Sequence, residues 1–573
     1  MQEKRKRGRP PGIVKGFPKP RRRKLTAADK MFRRICREYE HNVYKFFPTY
    51  GTYMGLPEYD AKLSKPSLQW FLRWERVLSN TLEELKMVNA DDLSADNRVD
   101  LEIGKNQIEL ELEELRDRPH WRRSPSMYFS EPMYGIYSVL TRGGKDLLSR
   151  ANGIIARTEK LPKQLLFGMR NLDNPPRIFT ESAILSAQGA RVFFDTTVRE
   201  FAGKLASSKA KRLRDACDAA VRSLDNYIEW MKTDLLPRSN GEWKAGARRF
   251  NNKLKKYHEV PFDADELYKL GQKIYKNTLN QLAATAKQID KRRDWTKIVA
   301  TLKDEHPSNA GLVDYYAKEM ARARRFVIEK DLVSFPPKEQ IKVVETPDFA
   351  RPLIPYAAYL TPGMYEADQT GIFWVTTVAK GTPKDRAEEQ LKGHSKYGIV
   401  VTALHEAYPG HHLQLTRANQ KRRIFRHMHH TSVFAEGWAL YCEEMMYEQG
   451  FYTDPRVRLF QLKDQLWRAC RVMIDVALHT RDMTYEQAVN FLVEKAHLER
   501  PNAEAEVRRY CQTPTQPMSY VIGKHLMLEL RDRLRERWGS KFTLKLFHDH
   551  VIDHGTIPIS RVEELIIAYT TRT

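Results

Sequence analysis

Apolar residues recur every three or four positions over much of this chain, which is the spacing of one face of an α-helix. The pattern extends from about residue 67 to about residue 330, with Lys, Arg and Glu between the apolar positions. Representative apolar positions are Trp70, Leu72, Trp74 and Val77. Because long amphipathic helices dominate the pattern, we predict a mainly α fold, built as one large helical body or as packed subdomains.

Local signals divide this pattern into elements. Thr26, followed three residues later by Asp29, resembles a capping box and predicts a helix over 30–47. The segment GIFWVTT at 371–377 is β-branched and aromatic and predicts a strand, after which 385–408 reads as helix. Proline and glycine cluster in four segments that we predict to be connectors, namely 117–136, 172–177, 236–247 and 334–363.

A basic tail precedes the predicted body. Its 24 residues contain eleven Lys or Arg and one Glu, so the tail contributes +10 to the net charge of +24 over 573 residues. We predict a disordered arm over 1–24, a mostly helical part over 25–340 and a part with the chemical motifs over 341–573. The R-G-R-P core of the tail is similar to an AT-hook and indicates weak, salt-dependent contact with nucleic acid. A nuclear-import signal explains the tail equally well, and a plain polycationic arm is the interpretation we favour.

The sequence favours a reducing compartment and no membrane partner. The tail lacks the apolar run of about 7–15 residues of a secretory signal, and no stretch approaches the roughly 18 uncharged apolar residues that span a bilayer. The five cysteines lie far apart and form no CxxC pair, which argues against disulfides and a thiolate metal site. We therefore predict a cytoplasmic protein, or a nuclear one if the source is eukaryotic.

The segment HEAYPGHHLQL at 405–415 looks like an interrupted zinc motif. In H-E-x-x-H the two histidines lie one helical turn apart and reach the same Zn²⁺ ion. Four residues after His405 this chain has Pro409, which with the following glycine favours a bulge in the helix. A bulge of two residues would bring His411 to the ligand position, and a bulge of three would bring His412 there. A helix end or a solvated patch explains this stretch alone equally well.

A carboxylate for the same site lies in FAEGWALYCEEMMYEQG at 434–450, a predicted helix. Glu436 lies off its apolar stripe, which consists of Phe434, Trp438, Tyr441 and Met445. A buried helix accounts for the stripe but not for an acid followed by glycine in a packed first turn. Two histidines and Glu436 would form the His₂Glu set of a catalytic zinc with a fourth position for water. Glu406 would then be the general base of the motif.

A second histidine cluster, RHMHH at 426–430, lies in a basic stretch that includes Arg422 and Arg423. Clustered histidines among like charges are usually solvated. We therefore predict a solvated loop at 426–430 rather than a second metal site.

Five motifs together resemble one family. They are HEAYPGHHLQ, EGWALYCE, RVMIDVALHT at 471–480, MTYEQAV at 483–489 and PTQPMSYVIGK at 514–524. They look like the bacterial domain of unknown function 885 family, which is grouped with the zincin-like peptidases. The resemblance is strong over roughly 345–570. It implies a mostly α, zincin-like fold with a small β-sheet lining the active-site cleft.

The spacing is more distantly similar to helical gluzincins such as thimet oligopeptidase, angiotensin-converting enzyme and carboxypeptidase Taq. Aligning Gly410 and His411 with the G-H of their HExGH makes 408–409 a two-residue insertion. This resemblance favours His411 over its rival and leaves 25 residues between it and Glu436. Several of those enzymes have an acid four residues after the ligand Glu, where this chain has Leu440.

The groups that support the metal ligands must then come from elsewhere. Glu443 or Asp475 would suit as the carboxylate that holds a ligating histidine. Asp475 and His479 share a helix face, so His479 would either act in the cleft or form a structural pair with Asp475 beside Arg471. The resemblance places the Tyr520 hydroxyl against the developing oxyanion, whereas a lone tyrosine would more often be a core residue.

These features predict a zinc-dependent hydrolase of the gluzincin type that cleaves peptides or another amide. The predicted metal ligands are His405, His411 and Glu436, and the predicted catalytic residues are Glu406, Tyr520 and His479. The strand at 371–377 would align an extended substrate by backbone pairing. Two alternatives stay open, namely a non-peptide amide hydrolase on the same zinc site and a DNA-associated binding protein with a vestigial catalytic body.

Overall fold

The computed structural model describes residues 24–141, 146–347, 351, 354 and 356–570. The predicted disordered tail, with its AT-hook-like core, lies outside these residues except for Lys24. Helical structure begins close to the predicted position, because the first helix spans Ala27–Phe46. The Thr26 hydroxyl accepts a hydrogen bond from the Asp29 amide at 2.9 Å, and the Asp29 carboxylate accepts one from the Thr26 amide at 3.2 Å. The predicted capping box is therefore confirmed.

The described residues form a mainly α fold with 26 α-helices and one small sheet. The helices before the sheet are α1 (Ala27–Phe46), α2 (Pro48–Tyr53), α3 (Leu68–Lys86), α4 (Ala95–Asp117), α5 (His120–Arg123), α6 (Met127–Thr141), α7 (Leu147–Thr158), α8 (Leu161–Asn171), α9 (Arg177–Phe193), α10 (Arg199–Ala202), α11 (Ser207–Trp230), α12 (Ala247–Lys253), α13 (Ala264–Ile289), α14 (Trp295–Leu302) and α15 (Leu312–Glu329). Those after it are α16 (Lys384–Lys392), α17 (Lys396–Glu406), α18 (His411–Asn419), α19 (Ile424–Met428), α20 (Ser432–Glu448), α21 (Pro455–Thr480), α22 (Tyr485–Ala496), α23 (Arg500–Tyr510), α24 (Ser519–Trp538), α25 (Leu544–Ile552) and α26 (Ile559–Thr570). None of the described helices is long and apolar enough to cross a membrane.

The connectors predicted from clustered proline and glycine are confirmed at some positions and wrong at others. The connector predicted at 117–136 is wrong, because α5 and most of α6 lie there. Pro132 lies inside α6, where its ring removes one helical hydrogen bond, and the helix buries Phe129 and Ile136 completely against the second core described below. The connectors predicted at 172–177 and 236–247 are largely confirmed, since each joins two helices with at most a short turn.

A three-stranded sheet packs against the helices that follow it. The strands are β1 (Gln340–Glu345), β2 (Ala357–Leu360) and β3 (Thr370–Val375), in the order β1-β3-β2. β1 runs parallel to β3 and β2 antiparallel to it. The strand predicted at 371–377 is confirmed as β3, but the connector predicted at 334–363 contains two strands. Because β3 pairs on both sides, its backbone is not free to align an extended substrate, and that prediction is wrong.

The largest apolar core takes side chains from both sides of residue 340, among them Trp74, Leu404 and Trp438. A second core lies within the helices from α6 to α11. The helix predicted over 385–408 is two helices, because the chain turns at 393–395 between α16 and α17. α17, α20, α21 and α24 lie in or beside the largest core, so the segments with the chemical motifs are firmly held.

Candidate metal centre

The zinc-like motif spans a break between two helices. α17 ends at Glu406 and α18 begins at His411. Across the break the Gly410 amide donates to the Leu404 carbonyl at 3.1 Å and the Leu413 amide to the Ala407 carbonyl at 3.4 Å. Both bonds span six residues, whereas an α-helix spans four. The chain therefore contains two extra residues at this point, as the bulge hypothesis requires for His411.

The bend is held by glycine and by a neighbouring helix. A Cβ on Gly410 would lie only 1.8 Å from the His405 carbonyl oxygen, so this position has room for glycine alone. The Pro409 carbonyl accepts a hydrogen bond from Nε1 of Trp438 at 2.9 Å. Trp438 is fully buried on α20, and its indole therefore fixes the bend against the helix that carries Glu436.

Three predicted ligands meet at this bend. One ligand atom each of His405, His411 and Glu436 lies within 4.8 Å of the other two. The Glu436 carboxylate oxygen is 3.7 Å from Nε2 of His405 and 3.4 Å from Nε2 of His411. The two imidazole rings are nearly perpendicular, with centroids 4.8 Å apart. Two imidazole nitrogens and a carboxylate oxygen thus converge on one point.

Carboxylates make this cluster attractive to positive charge. Nδ1 of His405 lies 2.8 Å from the buried carboxylate of Glu443, which identifies Glu443 as the group that holds this imidazole. Burial would lower the pKa of His405, but hydrogen bonds with Glu436 and Glu443 raise it to about 10. Burial would also raise the pKa of Glu436, but its contacts with His411 and His405 hold that pKa well below the usual range.

The rival ligand His412 is engaged elsewhere. Its Nδ1 lies 2.9 Å from the hydroxyl of Tyr359 on β2, and its Nε2 lies 2.6 Å from the Glu339 carboxylate beside β1. The Tyr408 hydroxyl donates to the same carboxylate. The imidazole is fully buried. His412 therefore connects α18 to the sheet. Of the two adjacent histidines, only His411 reaches Glu436.

Glu406 adjoins the first of the clustered ligands in the sequence. It follows His405 at the end of α17 and is partly exposed. Within the described part of the chain its carboxylate has no hydrogen-bond partner. Its charge contributes, after burial, to raising the pKa of Tyr316 and of Tyr359. Glu406 therefore lies near Tyr316 on α15 and Tyr359 on β2.

Tyr520 lies on α24, about one turn before the glycine at which this helix crosses α20. A Cβ on Gly437 would lie 2.5 Å from Gly523, and one on Gly523 would lie 2.0 Å from the Val433 carbonyl oxygen. This close contact of α20 with α24 explains the glycine that follows Glu436. Burial and then the charge of Glu436 raise the pKa of Tyr520. The Arg471 guanidinium lies 4.7 Å from the centre of the Tyr520 ring and restrains it.

The sequence of the whole body points to one family. A family model described as "Bacterial protein of unknown function (DUF885)" matches residues 48–566. The chain belongs to this family. No curated protein matches the chain. The resemblance read from the five motifs is therefore confirmed for the DUF885 family itself.

Two solved structures have a similar fold. A "putative lipoprotein of unknown function" from Shewanella oneidensis is 22% identical, with a TM-score of 0.77, and the match covers 94% of the DUF885 chain and 99% of the other. A "putative lipoprotein" from Colwellia psychrerythraea is 18% identical, with a TM-score of 0.80, and the match covers 96% and 100%. At these identities the similarity shows the fold alone. The cytoplasmic location of the DUF885 chain stays a prediction.

The structure does not bring His479 to the cluster. Its Nδ1 accepts a hydrogen bond from the Ala245 amide at 3.2 Å, and its Nε2 lies 3.0 Å from the Tyr510 carbonyl. The imidazole is buried between the rings of Trp243 and Phe250. Both ring nitrogens thus contact backbone atoms of neighbouring segments, and we assign His479 no part in the site.

The prediction of a solvated loop at 426–430 is wrong for most of the segment. Arg426 is buried and paired with Asp96 and Asp100, and Nε2 of the buried His429 lies 2.7 Å from the Tyr257 carbonyl. Like charges in the sequence suggested exposure, but distant aspartates neutralise them. Of the five residues only His430 is exposed, and it lies two residues before the helix that carries Glu436. The sequence carried no signal for this placement.

Proposed function

We propose that this DUF885 protein is a zinc-dependent hydrolase with a zincin-like, gluzincin-type site, and that it cleaves peptides or other amides. The convergence of His405, His411 and Glu436 within 4.8 Å carries the proposal. Two imidazoles and one carboxylate are the donor set of a catalytic zinc. The contact of His405 with Glu443 is the support that such ligands usually have. The donor set and the charge of the site therefore fit Zn²⁺.

The chain's own residues would perform the proton transfers. When bound, Zn²⁺ lowers the pKa of water and polarises the scissile carbonyl. The Glu406 carboxylate takes the proton from the attacking water and delivers it to the leaving amine. The Tyr520 hydroxyl donates a hydrogen bond to the oxygen that becomes negative in the tetrahedral intermediate. The restraint of Tyr520 by Arg471 supports this role, because a preorganised donor needs no reorientation during the reaction.

An edge strand supports a peptide substrate. β2 lies at one edge of the sheet, and among the described residues it pairs with β3 alone. The Thr376 amide donates to the Tyr356 carbonyl at 2.8 Å, so the alternation of an antiparallel pair directs the backbone groups of Ala357 and Tyr359 away from β3. An extended peptide could add to this edge by backbone hydrogen bonds. We therefore assign substrate alignment to β2 rather than to β3.

Glu406→Gln tests the proposed function. We expect the zinc-loaded variant to retain the metal and to lose about 10²–10⁴-fold in turnover, measured on a panel of amides and short peptides. Glu494→Gln changes an exposed glutamate on α22 and is the matched control, with wild-type turnover expected. Absence of cleavage of any amide by the zinc-loaded wild type, or full activity of Glu406→Gln, would contradict the proposal.

A further inference from the structure

A large cavity adjoins the candidate centre without containing it. It has a volume of about 1110 Å³ and lies between α2, α6 and the sheet. Aromatic side chains line much of its wall, namely Tyr50, Tyr53, Tyr134, Tyr137 and Trp374. None of the three clustered ligands, His405, His411 and Glu436, is part of this wall. The cavity is therefore separate from the centre, and the two are connected through residues that lie between them.

Two residues join the cavity to the centre. His430 lines the cavity and lies two residues before the start of α20, the helix that carries Glu436. Tyr359 lines the cavity from β2, and its hydroxyl contacts His412, the residue next to His411. The charge of Glu406 also acts on Tyr359. A chain bound along β2 would therefore reach from the centre into the cavity.

The wall indicates an apolar ligand. Tyr53 and Tyr134 are 43% and 55% exposed, so their rings offer apolar surface that the fold itself does not cover. Apart from Arg426, which is paired with Asp96 and Asp100, the acidic and basic side chains of the lining balance, with Lys342 and Lys421 against Glu366 and Asp368. Such a wall selects neither anions nor cations. The volume slightly exceeds the usual range of about 300–1,000 Å³ for small-molecule sites, so the cavity has room for several side chains.

We propose that this cavity binds two or more large apolar or aromatic side chains of a short peptide, on one side of the bond that the centre cleaves. The inference rests on the proposed function, because the position of the centre and the edge of β2 favour a peptide. Aromatic walls also stack on sugar rings. An oligosaccharide is the competing ligand, and the experiment includes it as a separate arm.

Binding to Glu406→Gln protein separates this inference from catalysis. Calorimetry would compare a hexapeptide rich in Phe and Leu, a hexapeptide of the same length rich in Ser and Gly, and a chitin hexasaccharide. We expect the apolar peptide to bind at least about 10-fold more tightly than the polar one, since the loss of large apolar contacts weakens binding by about this factor. Adding either Tyr134→Ala or Tyr53→Ala to the Glu406→Gln protein should lower its affinity for the apolar peptide severalfold. Leu185→Ala, which truncates another exposed side chain at 55% exposure on α9, should leave affinity unchanged.

Each result has one meaning. Tight binding of the apolar peptide that depends on the tyrosines, without cleavage by zinc-loaded wild type, supports the cavity assignment and rejects the hydrolase. Cleavage of peptides with no apolar preference and no effect of the tyrosine variants rejects the cavity assignment and leaves the hydrolase standing. Binding of the hexasaccharide in place of the peptide also rejects the assignment. Both tyrosines lie at the surface of their helices, and circular dichroism would verify that the variants are folded.

Discussion

Gly410 is the residue of the candidate centre with the least room for a side chain. A Cβ there would meet the carbonyl oxygens of His405 at 1.8 Å and Leu404 at 2.5 Å. Both are backbone atoms, so they cannot rotate away as a side chain would. The backbone segments on either side of the bend would have to separate. The imidazole of His411 would then move away from that of His405.

Gly410→Ala should therefore destabilise the fold by at least about 1–3 kcal/mol, the typical cost of forcing extra atoms into a packed interior, and should weaken zinc binding. Urea unfolding and a zinc titration measure the two effects. Gly189→Ala is the control, because a Cβ at that position inside α9 meets no atom within 4 Å. The control should be neutral or stabilising by about 0.5–1 kcal/mol. Equal stability of the two variants would contradict the account of the bend.

The sequence predicted the clustered residues but not the details of their surroundings. The motif spacing and the acid off an apolar stripe were enough to select His405, Glu406 and Glu436, because helical periodicity is a local property. The choice between His411 and His412 depends on how many residues the bend absorbs, and on Glu339, which lies 73 positions from His412. No local pattern carries that information, and the resemblance to gluzincins supplied the preference.

At the scale of elements, one carboxylate holds the start of the helix that carries Tyr520. Asp475 on α21 is fully buried and accepts hydrogen bonds from the amides of Thr515 and Met518 at 3.2 and 3.3 Å. These amides belong to the turn that precedes α24. Burial, opposed by these hydrogen bonds, raises the pKa of Asp475 to about 7. The turn is therefore held by a group that changes its charge near neutral pH.

The sign of this shift predicts how stability depends on pH. Because the pKa of Asp475 is higher in the folded chain than in the unfolded one, the folded state binds more protons between about pH 4 and pH 7. The contribution of the protonated carboxyl is complete below about pH 4 and is lost as pH rises through 7. We expect the destabilisation caused by Asp475→Asn, measured by urea unfolding, to be larger at pH 5 than at pH 8 by on the order of 2 kcal/mol.

Asp482→Asn is the control for this experiment, since Asp482 is exposed just beyond the end of α21. Its effect on unfolding should be small at both pH values. A pH-independent difference between wild type and Asp475→Asn would show that Asp475 is not the titrating group.

Elements with strong local signals were predicted well, and elements defined by distant partners were not. The capping box at Thr26 and the β-branched run of β3 are local signals, and both elements are confirmed. β1 and β2 were missed because each depends on β3 for its pairing, and β2 has only four residues. α6 was missed because Pro132 suggested a loop, whereas burial of the helix outweighs the lost hydrogen bond.

At the scale of the whole molecule, the candidate centre is built by helices from one shared core. That core takes side chains from helices near both ends of the described chain, α1 and α26 among them. The N-terminal helices α2 and α6 also supply the wall of the adjoining cavity. The centre and the space beside it therefore depend on the complete body rather than on the motif segments alone.

Measuring zinc content shows whether the three clustered residues bind the metal. Purified protein would be loaded with zinc, dialysed and measured by mass spectrometry, for wild type beside His405→Ala, His411→Ala, Glu436→Ala and His412→Ala. We expect about one zinc ion per wild-type chain, loss of the ion in the first three variants and retention in folded His412→Ala. A wild type that binds no zinc, or a His411→Ala variant that keeps the ion while His412→Ala loses it, would contradict the account.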